Sequence, residues 1–167
     1  SVIAAILAEE KEHHTFEIMA MAKVNVYQYL TAILSHTLLI CMIGAMTFVW
    51  MGDFTITEMI RFLFLMGMGC LISLLIGVII GTWSTSTIMA NSLSIPIMMI
   101  FSFLPMLAMF NETIQKIARF AYTYIIHTMM LHLDQMTWEP FSLVILILTT
   151  SIAVILFVLA YRSAPLL

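Results

Sequence analysis

Phe62-Leu-Phe-Leu-Met-Gly-Met-Gly-Cys-Leu-Ile-Ser-Leu-Leu-Ile-Gly-Val-Ile-Ile-Gly81 is followed by Thr82-Trp-Ser-Thr-Ser-Thr87 and then by a second apolar run, Ile88 to Phe110. Between Arg61 and Glu112 fifty consecutive positions carry no charge. One bilayer-spanning helix needs about 20 residues, so this stretch is too long for one span. The hydroxyl-rich break from Gly81 to Thr87 divides it into two helices joined by a tight connection. Working outward, there is no charge between Lys23 and Asp53, and none from Phe141 to Tyr161. A charged side chain at the centre of a spanning helix costs about 2.5–3.5 kcal/mol on the insertion scale, so charges mark loops and helix ends. The pattern predicts an all-α polytopic membrane protein with four complete spans, near 25–50, 59–81, 88–110 and 141–161.

Composition agrees with this reading. The 167 residues are 63% hydrophobic and 9% charged, with a mean hydropathy of +1.11. Soluble domains carry about 25% charged residues, so a soluble domain is excluded. A net charge of −3 with six basic residues excludes a nucleic-acid surface, which needs clustered Lys and Arg against phosphates. Residues 1–8 are apolar but too short to cross, and read as the end of a preceding span in the C-terminal part of a longer chain. Cys41 and Cys70 fall inside spans and read as small packing residues.

The charged residues concentrate in 9–23, Glu-Glu-Lys-Glu-His-His-Thr-Phe-Glu-Ile-Met-Ala-Met-Ala-Lys, with six of the fifteen in the whole chain. Its second half has helical spacing: Phe16, Met19 and the stem of Lys23 share a face, widened by Ile18, Met21 and Ala22. Thr15 is placed as the N-cap, with Glu17 in the first turn where the helix dipole favours an anion. An interfacial helix that anchors a loop is one reading, but that role calls for basic residues. An acidic helix presenting Phe and Met is suited to a groove on a soluble partner.

Glu10-Lys11-Glu12-x-x-Thr15-x-Glu17, followed by an apolar helix and a long span, resembles the coupling segment of type 2 ABC exporter permeases, whose pattern reads approximately E-K-E-x-G-T-L-E. The similarity continues through a helix pair, a span containing Pro96 and Pro105, and Ile117-Ala-Arg-Phe120 before the last span. Departures are His14 for Gly, Ala22-Lys23 for Thr-Pro, Ala32-Ile33 for Gly-Lys and Ala121 for Pro. The resemblance implies a permease subunit moving a hydrophobic or amphipathic substrate, such as a peptide, lipid or drug. It implies a cytoplasmic segment 9–23, with Glu10, Lys11, Glu12, Thr15, Phe16 and Glu17 coupling to a separate ATP-binding subunit, and a second permease subunit, identical or related. It also implies a re-entrant hairpin in 111–139 on the outer side, and a bacterial plasma membrane. ATP and magnesium would be held by the partner subunit and no cofactor by this chain. None of the six glycines belongs to a G-x-x-x-x-G-K-[ST] loop, so the chain has no phosphate cradle of its own and is not expected to be an enzyme.

Other side chains invite separate readings. Gly69, Ser73, Gly77 and Gly81 recur every four residues, a surface for close helix packing or for a translocation path. His36 lies about three turns into its span, where it lines a polar path or hydrogen-bonds a neighbouring helix. Asn91, Ser92 and Ser94 precede Pro96 and are expected to satisfy carbonyls freed by the proline, with substrate contact as the second use of Asn91. Glu112, Lys116 and Arg119 fall on one side of a short helix. His36, His127, His132 and Asp134 define the alternative of a metal-dependent membrane enzyme, although their spacing matches no defined ligand set. His13-His14 among acidic residues is a further chelating candidate, and H-E-x-x-H is absent. Positive charge does not choose an orientation: Lys11, Lys23 and Arg162 oppose Arg61, Lys116 and Arg119.

Overall fold

The computed structural model describes residues 2–13, 15, 26–133 and 140–163. Among them the backbone is helical with short links and contains no strand. The elements are α1 (Val2–Glu12), α2 (Val26–Met51), α3 (Ile56–Trp83), α4 (Thr87–Phe110), α5 (Glu112–Ala118), α6 (Tyr122–Leu131) and α7 (Pro140–Ser163). Four segments are long and apolar enough to cross a membrane: Gln28–Met51, Ile56–Trp83, Thr87–Phe110 and Pro140–Leu159. The chain is an all-α, multi-pass membrane protein.

Local chemistry sets the helix ends. Before α3, the backbone N–H of Thr55 donates to Glu58 Oε2 at 2.8 Å, which satisfies one of the donors a helix start leaves open. The hydroxyl-rich break is the link Ser84-Thr85-Ser86. There the hydroxyls of Thr82 and Ser84 donate back to the carbonyls of Ile79 and Ile80, each at 2.8 Å, while Ser86 Oγ accepts from the N–H of Met89 at 3.3 Å. The polar groups of the chain reversal are thereby kept hydrogen-bonded. Asn111 Oδ1 starts α5 by accepting from the N–H groups of Thr113, at 2.9 Å, and Ile114, at 3.4 Å.

Helix α3 is the hub, packing against α1, α2, α4, α6 and α7. On one part of its surface Leu65 and Ile72 are buried with Tyr122, Ile125, Ile126 and Met129 of α6 and Ile145 and Leu146 of α7. Near its other end Val78 is buried with Ile3 and Leu7 of α1 and Leu30 of α2. The small-residue stripe serves both contacts. At Gly69 an added Cβ would stand 2.9 Å from Ile126 Cδ1; at Gly81 it would stand 3.0 Å from Leu7 Cβ and 3.1 Å from Ala4 Cα. Gly77 is buried between them. In lipid, where no hydrophobic effect draws helices together, such close backbone approach supplies the packing.

Two local features differ from expectation. Helix α1 runs on to Glu12, so the apolar turns of residues 1–8 and the first charged positions form one helix. Ile3, Ala4, Leu7 and Ala8 are buried and Lys11 is half-buried one turn further on, so a single face continues into the charged segment. Within α4, Ser94 Oγ donates to the carbonyl of Ala90 at 2.6 Å, not to that of Ser92, which Pro96 leaves without its donor. A helical serine reaches back four residues along its own turn, and from position 94 that places it on Ala90.

Candidate functional site: a three-way tie at one helix end

The consecutive side chains of Glu10, Lys11 and Glu12 each reach a different part of the bundle. The Tyr29 hydroxyl in α2 donates to Glu10 Oε1 at 2.7 Å. Lys11 Nζ donates to the carbonyl oxygen of Thr82, in the last turn of α3. Glu12 Oε2 accepts from both the hydroxyl and the backbone N–H of Thr87, at 2.9 and 3.2 Å, at the start of α4. The geometry follows from helical rotation. Successive residues turn about 100°, so three in a row point to three neighbours.

The electrostatics suit each position. Lys11 neutralises a carbonyl at the negative end of α3, and Glu12 meets the positive start of α4. The hydroxyl and N–H of Thr87 hold the Glu12 carboxyl below the usual carboxylate range. Burial draws the Lys11 ammonium below the ordinary lysine value. Each of these groups holds a proton or a charge in place. Their capacity is mechanical, joining the end of α1 to α2, α3 and α4 at once.

Tyr29, Thr82 and Thr87 were not singled out from sequence. Thr82 and Thr87 belong to the recognised hydroxyl-rich break, but nothing in the chain pairs them with residues 71 and 75 positions away. Thr15 is half-buried in helical backbone, whereas the N-cap reading placed it just outside a helix. Phe16, Glu17 and the rest of the expected amphipathic helix lie outside the described residues.

The remaining candidates do not join this tie. Gly69 and Ser73 face α6, where Ser73 Oγ and the Tyr122 hydroxyl are 3.0 Å apart, and Gly81 faces α1. Asn91 is half-buried on α4. His36 is exposed on α2 and hydrogen-bonds no neighbouring helix among the described residues, contrary to one of its two readings. His127 is half-buried on α6 and His132 exposed just beyond it, while Asp134 lies outside the described residues. Among the described residues no three His, Cys, Asp or Glu side chains are grouped to hold a metal. A cavity of about 320 Å³ lies between α2, α3 and α7, lined by Thr31, Leu34, Leu71, Leu75 and Phe157 among others. Thr31 and Ser35 beside it donate to carbonyls of their own helix, at 3.0 Å each.

Four apolar spans built around one small-residue helix, with a charged helix end tied to three of them, define a multi-pass membrane protein. A family model described as ABC-2 family transporter protein matches residues 1–162, and the chain belongs to that family. No curated protein and no solved structure matches it.

Proposed function

We propose that the chain is the permease subunit of an ATP-driven exporter, moving a hydrophobic or amphipathic substrate with ATP hydrolysed by a separate cytoplasmic subunit. The tie carries this reading. A segment that only anchored a loop would have no need to bind three helix ends, whereas a segment that receives displacement from a partner must pass it on. On this reading the end of the bundle holding Glu10, Lys11, Glu12 and Ser84–Ser86 faces the cytoplasm, and α5 and α6 enter from the other side. Residues 15–17 meet the ATP-binding subunit, and the tie delivers its movement to α2, α3 and α4. A second permease subunit, identical or related, completes the path.

The test is co-expression with the ATP-binding subunit and reconstitution into vesicles. Replacing Tyr29 by Phe or Lys11 by Met is expected to leave the two subunits co-purifying, while substrate-stimulated ATP hydrolysis and transport fall several-fold. Unchanged coupling in both variants would overturn the role of the tie. A chain that binds no ATP-hydrolysing subunit would overturn the exporter reading itself.

A further inference from the structure

Helix α6 runs antiparallel along α3 in a constant register. Arg61 Nη1 donates to the carbonyl of Leu133 at 2.8 Å, Gly69 lies under Ile126, and Ser73 Oγ meets the Tyr122 hydroxyl at 3.0 Å. Each step along α3 is matched by an equal step back along α6. The turn between α5 and α6, residues 119–121, therefore stands opposite Leu74 to Ile76. At 1.5 Å per residue the middle of that stretch is about 28 Å from Ile56 and about 12 Å from Trp83. From the other side, the Tyr122 ring lies 5.3 Å from that of Phe101, itself well inside α4. The hairpin tip is thus embedded at the depth of the apolar spans.

Two cations ride the hairpin to that depth. Lys116 and Arg119 are one turn apart and exposed, and neither side chain has a hydrogen bond or ion pair among the described residues. The described carboxylates lie elsewhere: Glu9, Glu10 and Glu12 on α1, Asp53 and Glu58 at the start of α3, and Glu112 at the root of the hairpin, about 10 Å from Arg119 along the helix. An uncompensated charge in hydrocarbon is expensive and marks a function. Around the cations Ile117 and Phe120 are 68% and 66% exposed. Thr123 Oγ1, in the first turn of α6, is buried and without a partner, an unused donor at the same depth.

We propose that this tip is an anion-binding site on the substrate path, where Arg119, assisted by Lys116, receives the phosphate or carboxylate head of an amphipathic cargo while Ile117 and Phe120 contact its apolar part. The proposal rests on the permease reading and names its substrate class. A guanidinium matches such a head with two parallel hydrogen bonds. A symmetric second copy would bring the same cations, and its described carboxylates stand at other depths, so an anionic head on the cargo would supply the neutralising charge.

The test uses the permease with its ATP-binding subunit in phosphatidylcholine nanodiscs, with ATP hydrolysis followed against added dodecyl phosphate, dodecyltrimethylammonium or inorganic phosphate. Dodecyl phosphate is expected to stimulate at lower concentration than the other two. Arg119→Gln should raise its half-stimulating concentration about tenfold, equivalent to about 1.4 kcal/mol. Arg119→Lys should retain part of the response, which separates charge from folding. Stimulation by phosphatidylglycerol built into the disc would support the site and identify lipid as the source of the head group. With Cys41 and Cys70 replaced by Ser, Arg119→Cys should react with a membrane-impermeant maleimide. Equal potency of the cationic amphiphile or of inorganic phosphate, an unaltered response in Arg119→Gln, or an unreactive Arg119→Cys overturns the site and leaves the exporter reading standing. Loss of the paired permease assembly in Arg119→Gln, with the cargo response otherwise intact, assigns the cation to a carboxylate of the second subunit and also overturns it. A wild-type complex that responds to no amphiphile overturns both readings.

Discussion

The Glu12 carboxylate accepts two hydrogen bonds from Thr87, one from its hydroxyl and one from its backbone N–H, across 75 positions of chain. A residue at the end of one helix thereby adds a second cap to the start of another, beside the one that Ser86 supplies to Met89. The bond is also charge-assisted, so it responds to protonation.

That response has a definite sign. The Thr87 donors hold the folded-state carboxyl of Glu12 below the usual range, so the tie stabilises the fold above the ordinary carboxylate pKa and weakens as pH falls through the lowered one. Thermal unfolding in detergent should show wild type more stable than Glu12→Gln by a margin that is constant from neutrality to about pH 5 and shrinks at lower pH. A margin that grows on acidification would contradict the contact.

The Tyr29 hydroxyl bond to Glu10 is part-buried and involves a charged acceptor. Tyr29→Phe removes the donor to Glu10 and should lower stability by about 1–2 kcal/mol, measured as a shift in the unfolding midpoint.

The two helix-packing glycines should differ. At Gly81 the obstructing atoms are Leu7 Cβ and the backbone Cα of Ala4, which cannot step aside, so Gly81→Ala should destabilise by about 1–3 kcal/mol. At Gly69 the obstruction is the terminal methyl of Ile126, which can rotate, and alanine favours helix over glycine by about 1 kcal/mol, so Gly69→Ala should be near neutral. Equal effects at the two sites would mean that α1 does not pack as closely on α3 as described.

The hairpin is held to α3 by polar bonds at its two levels. Ser73→Ala leaves the Tyr122 hydroxyl without this partner and should cost about 0.5–1.5 kcal/mol, with Arg61→Met loosening the Leu133 end by a similar amount. Limited proteolysis between α6 and α7 should accelerate most when both are replaced.

The spans were legible because uncharged length is a one-dimensional signal. Arg61 and Glu112 bracket two helices, and the hydroxyls between Gly81 and Thr87 reveal where the chain reverses. The charged segment was legible as a place of unusual density, but not in its internal use. The motif directed attention to a soluble partner, while the side chains of Glu10, Lys11 and Glu12 bond to other helices of the same chain, at residues 19, 71 and 75 positions away. Tyr29 and Thr87 look like ordinary span-end residues until folding brings them to the end of α1. The depth of Arg119 was hidden for the same reason. Its charge suggested an outer surface, and only the register of α6 on α3 carries it inward.

That register has a mechanical consequence. The carbonyl of Thr82 that holds Lys11 and the hydroxyl of Ser73 that meets Tyr122 belong to one uninterrupted helix, separated by about 14 Å of its axis. A hydrogen-bonded helix of this kind behaves as a stiff rod over so short a span. A tilt imposed at the Lys11 end reaches the hairpin with no relay of intervening side chains, so α3 is a lever between the end of α1 and the hairpin.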